Sequence, residues 1–300
     1  MSRIHEALKK AEQERAMSQP TRESMSTALD TSVEPAGVYT SAAVMTSAPP
    51  AISSASDALL TRCRLTNWSP DPKTMLFFSG EEHAPGMEEF RTLRSRLYQA
   101  REKQPLTKLL ITSALPKEGK SFTASNLAQV IVRQHGRRVL LIDADLRNPQ
   151  LHKLLGAEPG PGLSDYLQSE ADEFSVIQRG SMENLFLIPA GRNSGNPAEL
   201  LANGRLKFLL SRLETMFDWI IIDSAPAVPV ADAALLANFC DGVLMVVRSN
   251  STPIDAARRA KKEFVDRNLV GVVLNGITPD LSPYSYYYAY GAEPKIEAKN

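Results

Sequence analysis

The sequence predicts an α/β protein, a doubly wound and mostly parallel sheet with helices on both faces. Short apolar runs, such as Trp219-Ile220-Ile221-Ile222 and Val243 to Val247, alternate with segments of helical periodicity. These runs carry no alternating polar face, as expected of strands buried on both sides. Several end in residues able to do chemistry: Ser113 lies just past one, and Asp143 and Asp223 close two others. Open α/β sheets bind ligands at the carboxyl ends of their strands.

The elements follow in order. Residues 2–17 read as a short helix, capped by Ser2 and carrying Ile4, Ala7, Leu8 and Ala11 at helical spacing. It fits a marginal surface helix and a docking segment equally well. Residues 18–56 hold 25 Ser, Thr, Ala or Pro among 39, with four charged residues. So little apolar surface cannot offset ordering entropy, which predicts a disordered linker. Residues 57–80 carry no assignable pattern, and the linker is bounded at 70. Helices are expected at Met87 to Arg101, Lys120 to Gln134, Ala198 to Phe217, Val230 to Phe239 and Pro253 to Arg267. Strands are expected at Lys108 to Thr112, Arg138 to Asp143, Leu185 to Pro189, Asp218 to Asp223, Gly242 to Val247 and Val270 to Asn275. The expected organisation is an N-terminal helix (1–17), a linker (18–70), a catalytic domain (71–281) and a tail (282–300).

Composition narrows the function classes. The 300 residues are 43% hydrophobic and 23% charged, an ordinary globular balance. Thirty-four basic and 34 acidic residues cancel, so no net charge draws the chain to nucleic acid. Two cysteines, Cys63 and Cys240, fit no metal spacing or disulfide framework, so a cytoplasmic location is expected. No apolar run approaches the roughly 20 residues of a membrane span. Five tyrosines fall within seven residues: Tyr284, Tyr286, Tyr287, Tyr288 and Tyr290.

The chemistry centres on Ser113-Ala114-Leu115-Pro116-Lys117-Glu118-Gly119-Lys120-Ser121, between a strand and a helix. The phosphate-loop pattern G-x-x-x-x-G-K-[ST] is met except that Ala114 replaces the first glycine. Amides at a helix start bind anionic oxygens. Lys120 suits the β- and γ-phosphates of a nucleotide, and the Ser121 hydroxyl suits Mg²⁺. Asp143 and Asp145 end the next strand, and two carboxylates there can divide metal-holding and proton-accepting roles. Asp223 closes an apolar strand, the Walker B arrangement that orients Mg²⁺.

These segments resemble the bacterial tyrosine kinases over roughly residues 75–290. The loop is similar to their Walker A. Leu141-Ile142-Asp143-Ala144-Asp145-Leu146-Arg147-Asn148-Pro149 resembles their Walker A′. Ile220-Ile221-Ile222-Asp223-Ser224-Ala225-Pro226 resembles their Walker B, although the family more often has Asp-Thr-Pro-Pro. The tyrosine cluster resembles their autophosphorylation tail. Residues 1–15 resemble the exopolysaccharide-associated branch, whose kinase is a separate cytoplasmic chain. Glu88-x-x-Arg91-x-x-Arg94 reproduces their E-x-x-R-x-x-R motif, which assembles rings in relatives; without the resemblance it reads as a solvated charged face.

The resemblance implies a P-loop NTPase fold of the SIMIBI type and an ATP-dependent tyrosine autokinase acting on the tail of its own or a neighbouring subunit. It implies ATP held by residues Pro116, Lys117, Glu118, Gly119, Lys120, Ser121 and Phe122, with Asn275 near adenine. Mg²⁺ would be held by Ser121, Asp145 and Asp223. Catalysis would rest on Lys120, Asp143 as base and Asp145. Glu88, Arg91 and Arg94 would form the interface of a ring-like homo-oligomer. Implied partners are a membrane chain-length-determining polysaccharide protein, which recruits the kinase to the inner face of the plasma membrane, and a protein-tyrosine phosphatase. The implied role is regulation of exopolysaccharide chain length, assembly or export. Two rival readings are a partitioning-type ATPase and a nucleotide-gated scaffold on a polysaccharide export protein. The ATPases carry a signature lysine where this chain has Leu115, and they have no reason to end in clustered tyrosines.

Overall fold

The computed structural model describes residues 62–78, 85–134, 136–192 and 195–277. The N-terminal helix, most of the linker and the tyrosine cluster lie outside them.

Among the described residues eight strands form one sheet. They are β1 (Arg64–Leu65), β2 (Lys108–Ser113), β3 (Val139–Asp143), β4 (Gln178–Arg179), β5 (Leu185–Ile188), β6 (Trp219–Asp223), β7 (Gly242–Arg248) and β8 (Leu269–Asn275). Their order is β1-β4-β5-β3-β6-β2-β7-β8. Every pairing is parallel except β4 with β5. The three central strands bury every residue apart from Lys108 at the start of β2. Alternate residues feed two cores. Leu110, Leu140, Ile142, Ile220 and Ile222 face one. Leu109, Ile111, Val139, Leu141 and Ile221 face the other. Two covered faces explain why these strands lack polar alternation.

Among the described residues eight helices accompany them: α1 (Met87–Lys103), α2 (Lys120–Val132), α3 (Leu151–Leu155), α4 (Leu163–Leu167), α5 (Pro197–Ala202), α6 (Gly204–Leu213), α7 (Asp232–Ala237) and α8 (Ile254–Lys262). Helix α1 begins with Glu88 and Glu89 and ends with Arg101 and Lys103, the charge order its dipole favours. Helix α2 follows β2 and is buried except at Phe122. Small residues such as Ala124, Ser125 and Ala128 let it lie close to the sheet.

Three expectations are corrected. The helix expected from Ala198 to Phe217 is two helices. Asn203 leaves the helical region (ψ 135°) and its side chain accepts from the Arg205 amide at 3.0 Å, so it caps α6. The linker boundary at 70 falls inside folded chain. Strand β1 pairs with β4, and Trp68 is 8% exposed. Trp68 donates to Thr66 Oγ1 at 2.9 Å and lies against Gly180, where a Cβ would sit 2.3 Å from the indole. Strands β1 and β4 and helices α3 and α4 were not expected, because two to five residues are too few to show a period.

Candidate active site at the carboxyl ends of the central strands

Strands β3, β6 and β2 lie side by side, and their carboxyl ends converge. Asp143 and Asp223 are register partners across β3 and β6, and Asp223 pairs with Ile111 of β2. The sheet thus sets Asp143 and Asp223 next to the loop that leaves β2.

That loop turns into α2 at Gly119, whose φ of 96° is left-handed and suits glycine. A Cβ there would lie 2.0 Å from Asn275 Nδ2. Lys117 also has positive φ (66°). Ala114 does not, and its methyl group is wholly buried in the core. The missing first glycine therefore removes no conformation that this loop uses. No side chain caps α2, which leaves its first amides for another acceptor.

The loop is braced from β7 and β8. Arg248 donates to the Lys117 carbonyl at 3.2 Å, and Asn275 Nδ2 donates to the Glu118 carbonyl at 2.9 Å. The Glu118 carboxylate, 3% exposed, turns into the loop, accepting from the Leu115 amide at 2.9 Å and from the Thr252 hydroxyl. Phe122 packs edge-on against Phe90 of α1, centroids 5.8 Å apart. Pro116 and Lys117 are exposed. Asn275, which the resemblance places near adenine, stands beside the loop with its amide engaged on loop backbone.

Lys120 reaches from α2 to the strand ends. Its Nζ lies 2.8 Å from Asp145 Oδ2, 3.9 Å from Asp223 Oδ1 and 3.3 Å from Ser121 Oγ. Burial works against the ammonium, but the Asp223 and Asp145 charges outweigh it and hold the pKa of Lys120 above its usual value. Asp145 Oδ1 accepts from the Asn148 amide at 3.0 Å. Asp143 Oδ2 accepts from the Gln150 and Leu151 amides at 3.1 and 3.0 Å, which starts α3. Asp143 Oδ1 and both Asp223 oxygens are buried without a hydrogen-bond partner. Burial raises the pKa of Asp143, and the Asp223 charge adds to the rise; burial likewise raises Asp223, opposed by Lys120.

These orphaned oxygens are what a cation would satisfy. Among the described residues no three His, Cys, Asp or Glu side chains form a ready metal cluster. Magnesium asks for less, because it is commonly held by one or two carboxylates together with substrate phosphates and water. Ser121, Asp145 and Asp223 meet that description. The Asp-Ser-Ala-Pro departure is also accommodated, since Ser224 Oγ donates to a backbone carbonyl, with those of Ile111 and Ala225 both at 3.1 Å, and is fully buried.

Two features had no signal in the sequence. Arg147 grips Asp232 of α7 with two bonds, 2.7 and 3.0 Å, and so ties the segment after β3 to α7. Thr252 and Arg248 hold the loop from outside every recognised motif. The E-x-x-R-x-x-R residues divide. Glu88 pairs with Arg91 on the exposed side of α1, whereas Arg94 donates to the Val130 carbonyl of α2 at 2.8 Å. A groove of about 820 Å³ at the amino ends of β3, β5 and β6, lined by Arg101, Arg133, Arg138 and Asp218 among others, contains none of the motif residues.

A family model described as an AAA domain matches residues 117–258. The chain is 36% identical over 214 residues to the tyrosine-protein kinase YwqD of Bacillus subtilis, covering 71% of this chain and 89% of that protein. The chain belongs to the bacterial tyrosine-protein kinases. To the tyrosine-protein kinase wzc of Salmonella typhimurium it is 34% identical over 216 residues, covering 71% of this chain and 30% of that longer protein. The kinase domain of Escherichia coli tyrosine kinase ETK superposes with a TM-score of 0.61 at 32% identity, covering 65% of this chain and 77% of that one. The fold is the P-loop fold of this kinase family, and the enzyme is a tyrosine kinase with a nucleotide-binding loop. Among the described residues no helix is long and apolar enough to cross a membrane.

Proposed function

We propose that this tyrosine kinase transfers the γ-phosphoryl group of ATP to Tyr284, Tyr286, Tyr287, Tyr288 and Tyr290 of a neighbouring subunit. The observation that carries the reading is one ammonium set among three buried carboxylates beside an uncapped helix start. The α2 amides and Lys120 receive the phosphates. When they arrive, Lys120 exchanges Asp145 for phosphate oxygens, and Asp145 and Asp223 would hold Mg²⁺ with Ser121. Held there, the cation would supply neutralisation of the phosphate charge. Asp143 accepts the tyrosine proton through Oδ1. Its other oxygen is fixed by two amides, so its orientation is preset. Its raised proton affinity suits a base that must take a proton from a phenol.

In this reading Glu88 and Arg91, and Arg94 through its support of α2, contribute to a ring-like homo-oligomer. A membrane chain-length-determining polysaccharide protein activates the kinase and recruits it to the inner face of the plasma membrane. A protein-tyrosine phosphatase resets the tail, and the cycle regulates exopolysaccharide chain length, assembly or export. Each phosphotyrosine adds about −1.5 to −2 charges, which drives phosphorylated tails apart.

The test is mass spectrometry of the tail after incubation with ATP and Mg²⁺. Phosphate on the tail tyrosines is expected in the unaltered protein and none in Lys120→Met. Free phosphate with an unmodified tail would overturn the reading in favour of a partitioning-type ATPase. Asp143→Asn keeps an oxygen for the α3 amides and is expected to lower the rate by roughly 10²–10⁴-fold with ATP affinity retained. An unchanged rate would remove Asp143 as the base.

A further inference from the structure

The phosphate loop contains a carboxylate, which is an awkward group to keep beside a triphosphate. We propose that Thr252, in the turn between β7 and α8, is a positioning residue for ATP that acts by holding the Glu118 carboxylate away from the anion cradle. The proposal rests on the nucleotide reading of the loop.

Glu118 immediately precedes Gly119 and the uncapped start of α2. Carboxylates are stabilised at helix starts, where amides donate to them and the helix dipole favours negative charge. A freed Glu118 would therefore have a destination: the same amides that receive the phosphates. It would act as a tethered competitor.

The structure holds it elsewhere with two neutral donors. Oε2 accepts from the Leu115 amide at 2.9 Å, and Oε1 accepts from the Thr252 hydroxyl. No ion pair involves Glu118 among the described residues, so no cation adds to the hold. The Thr252 hydroxyl is aimed by its own partner. It accepts from the Arg248 amide at 3.0 Å, which occupies an oxygen lone pair and leaves its single proton for Glu118. The Arg248 guanidinium and the Asn275 amide clamp the carbonyls of Lys117 and Glu118 from the same side. Thr252 thus sets where a negative charge in the loop points, without itself belonging to any nucleotide motif.

Thr252→Val keeps the shape and removes the proton donor. It is expected to weaken binding of a fluorescent ATP analogue, and to raise the KM for ATP, by about tenfold or more, the worth of a hydrogen bond to a charged group. The kcat should change much less, because the competitor acts on the nucleotide-free loop. Thr252→Ser should restore the unaltered values. Glu118→Gln placed on Thr252→Val should recover most of the affinity, because a neutral amide does not compete with an anion. A purely structural role would lower thermal stability without the KM shift and without rescue by Glu118→Gln. Nucleotide affinity within twofold of the unaltered protein in Thr252→Val would overturn the proposal, as would absence of that rescue. Thr252→Ala serves the same comparison if the valine protein does not fold. Lys120→Met separates the two levels: nucleotide bound as tightly by Lys120→Met as by the unaltered protein would refute the loop reading itself. Binding lost in Lys120→Met but kept in Thr252→Val refutes Thr252 alone.

Discussion

Gly119→Ala tests the geometry of the phosphate loop at its tightest point. Two costs add. An alanine at φ 96° occupies a conformation that costs a non-glycine residue about 1–2 kcal/mol. Its methyl carbon would sit 2.0 Å from Asn275 Nδ2, which no packed structure tolerates. Asn275 is a flexible side chain and can swing aside, but doing so breaks its 2.9 Å bond to the Glu118 carbonyl, worth about 1 kcal/mol. The sum is about 2–3 kcal/mol of stability, readable as a lower midpoint in urea unfolding of the nucleotide-free protein. The contact itself is isolated by a cycle with Asn275→Ala. Asn275→Ala alone loses the bond to Glu118. In the double variant the methyl group meets empty space, so only the backbone cost is added to that loss. The double variant is thus expected to be about 1 kcal/mol more stable than the two single losses predict, well beyond the ~0.3–0.5 kcal/mol expected of independent sites. Strict additivity would refute the reasoning, because it would mean that Asn275 does not lie against Gly119.

Two further outcomes are expected. Trp68→Ala should cost about 3–5 kcal/mol of stability, as loss of a buried indole does, and a chain beginning at residue 71 should unfold earlier in urea than one beginning at 62; equal midpoints would place β1 and Trp68 outside the fold. Arg94→Ala should destabilise the monomer by about 1 kcal/mol through loss of its bond to Val130, whereas Arg91→Ala should not; if light scattering shows that only Arg94→Ala lowers the oligomer mass, the intersubunit role of Arg91 fails.

The central strands were legible because burial on both faces writes itself as unbroken apolar runs; the apolar run of the edge strand β8 was legible too, although Val272 and Leu274 are exposed there, and each run from Lys108 to Asn275 stands as a strand within a residue or two. The chemistry was legible for a related reason. A parallel sheet puts strand ends together, so Asp143, Asp223 and the loop before Lys120 could be joined from topology alone. The rest was lost where structure is made by single contacts. Strand β1 is two residues long and is held by pairing with β4, with Trp68 lying beyond it against Gly180. Asn203 breaks a helix that apolar spacing would have carried on to Phe217. Thr252 and Arg248 contact the loop across more than 130 residues of sequence. No periodicity encodes such contacts, since each depends on where two distant strands end.

On the proposed reading, the electrostatics of the site favour a nucleotide and a cation binding together. One ammonium faces three carboxylates in a region from which water is largely excluded. Burial pushes Asp143 and Asp223 toward their neutral forms, the Asp223 charge adding to the rise of Asp143 and the Asp145 charge to that of Asp223. A triphosphate entering by itself would worsen the imbalance, even with Lys120 redirected to it. A divalent cation entering by itself would find two carboxylates and a hydroxyl, too few ligands for a tight site. Together each would supply what the other lacks: the cation would offset the carboxylates, and the phosphates would add the ligands the protein does not provide. The carboxylate of Glu118, so close in sequence, would upset that balance if it joined the group. Its diversion to Leu115 and Thr252 keeps the fourth negative charge out of the cradle.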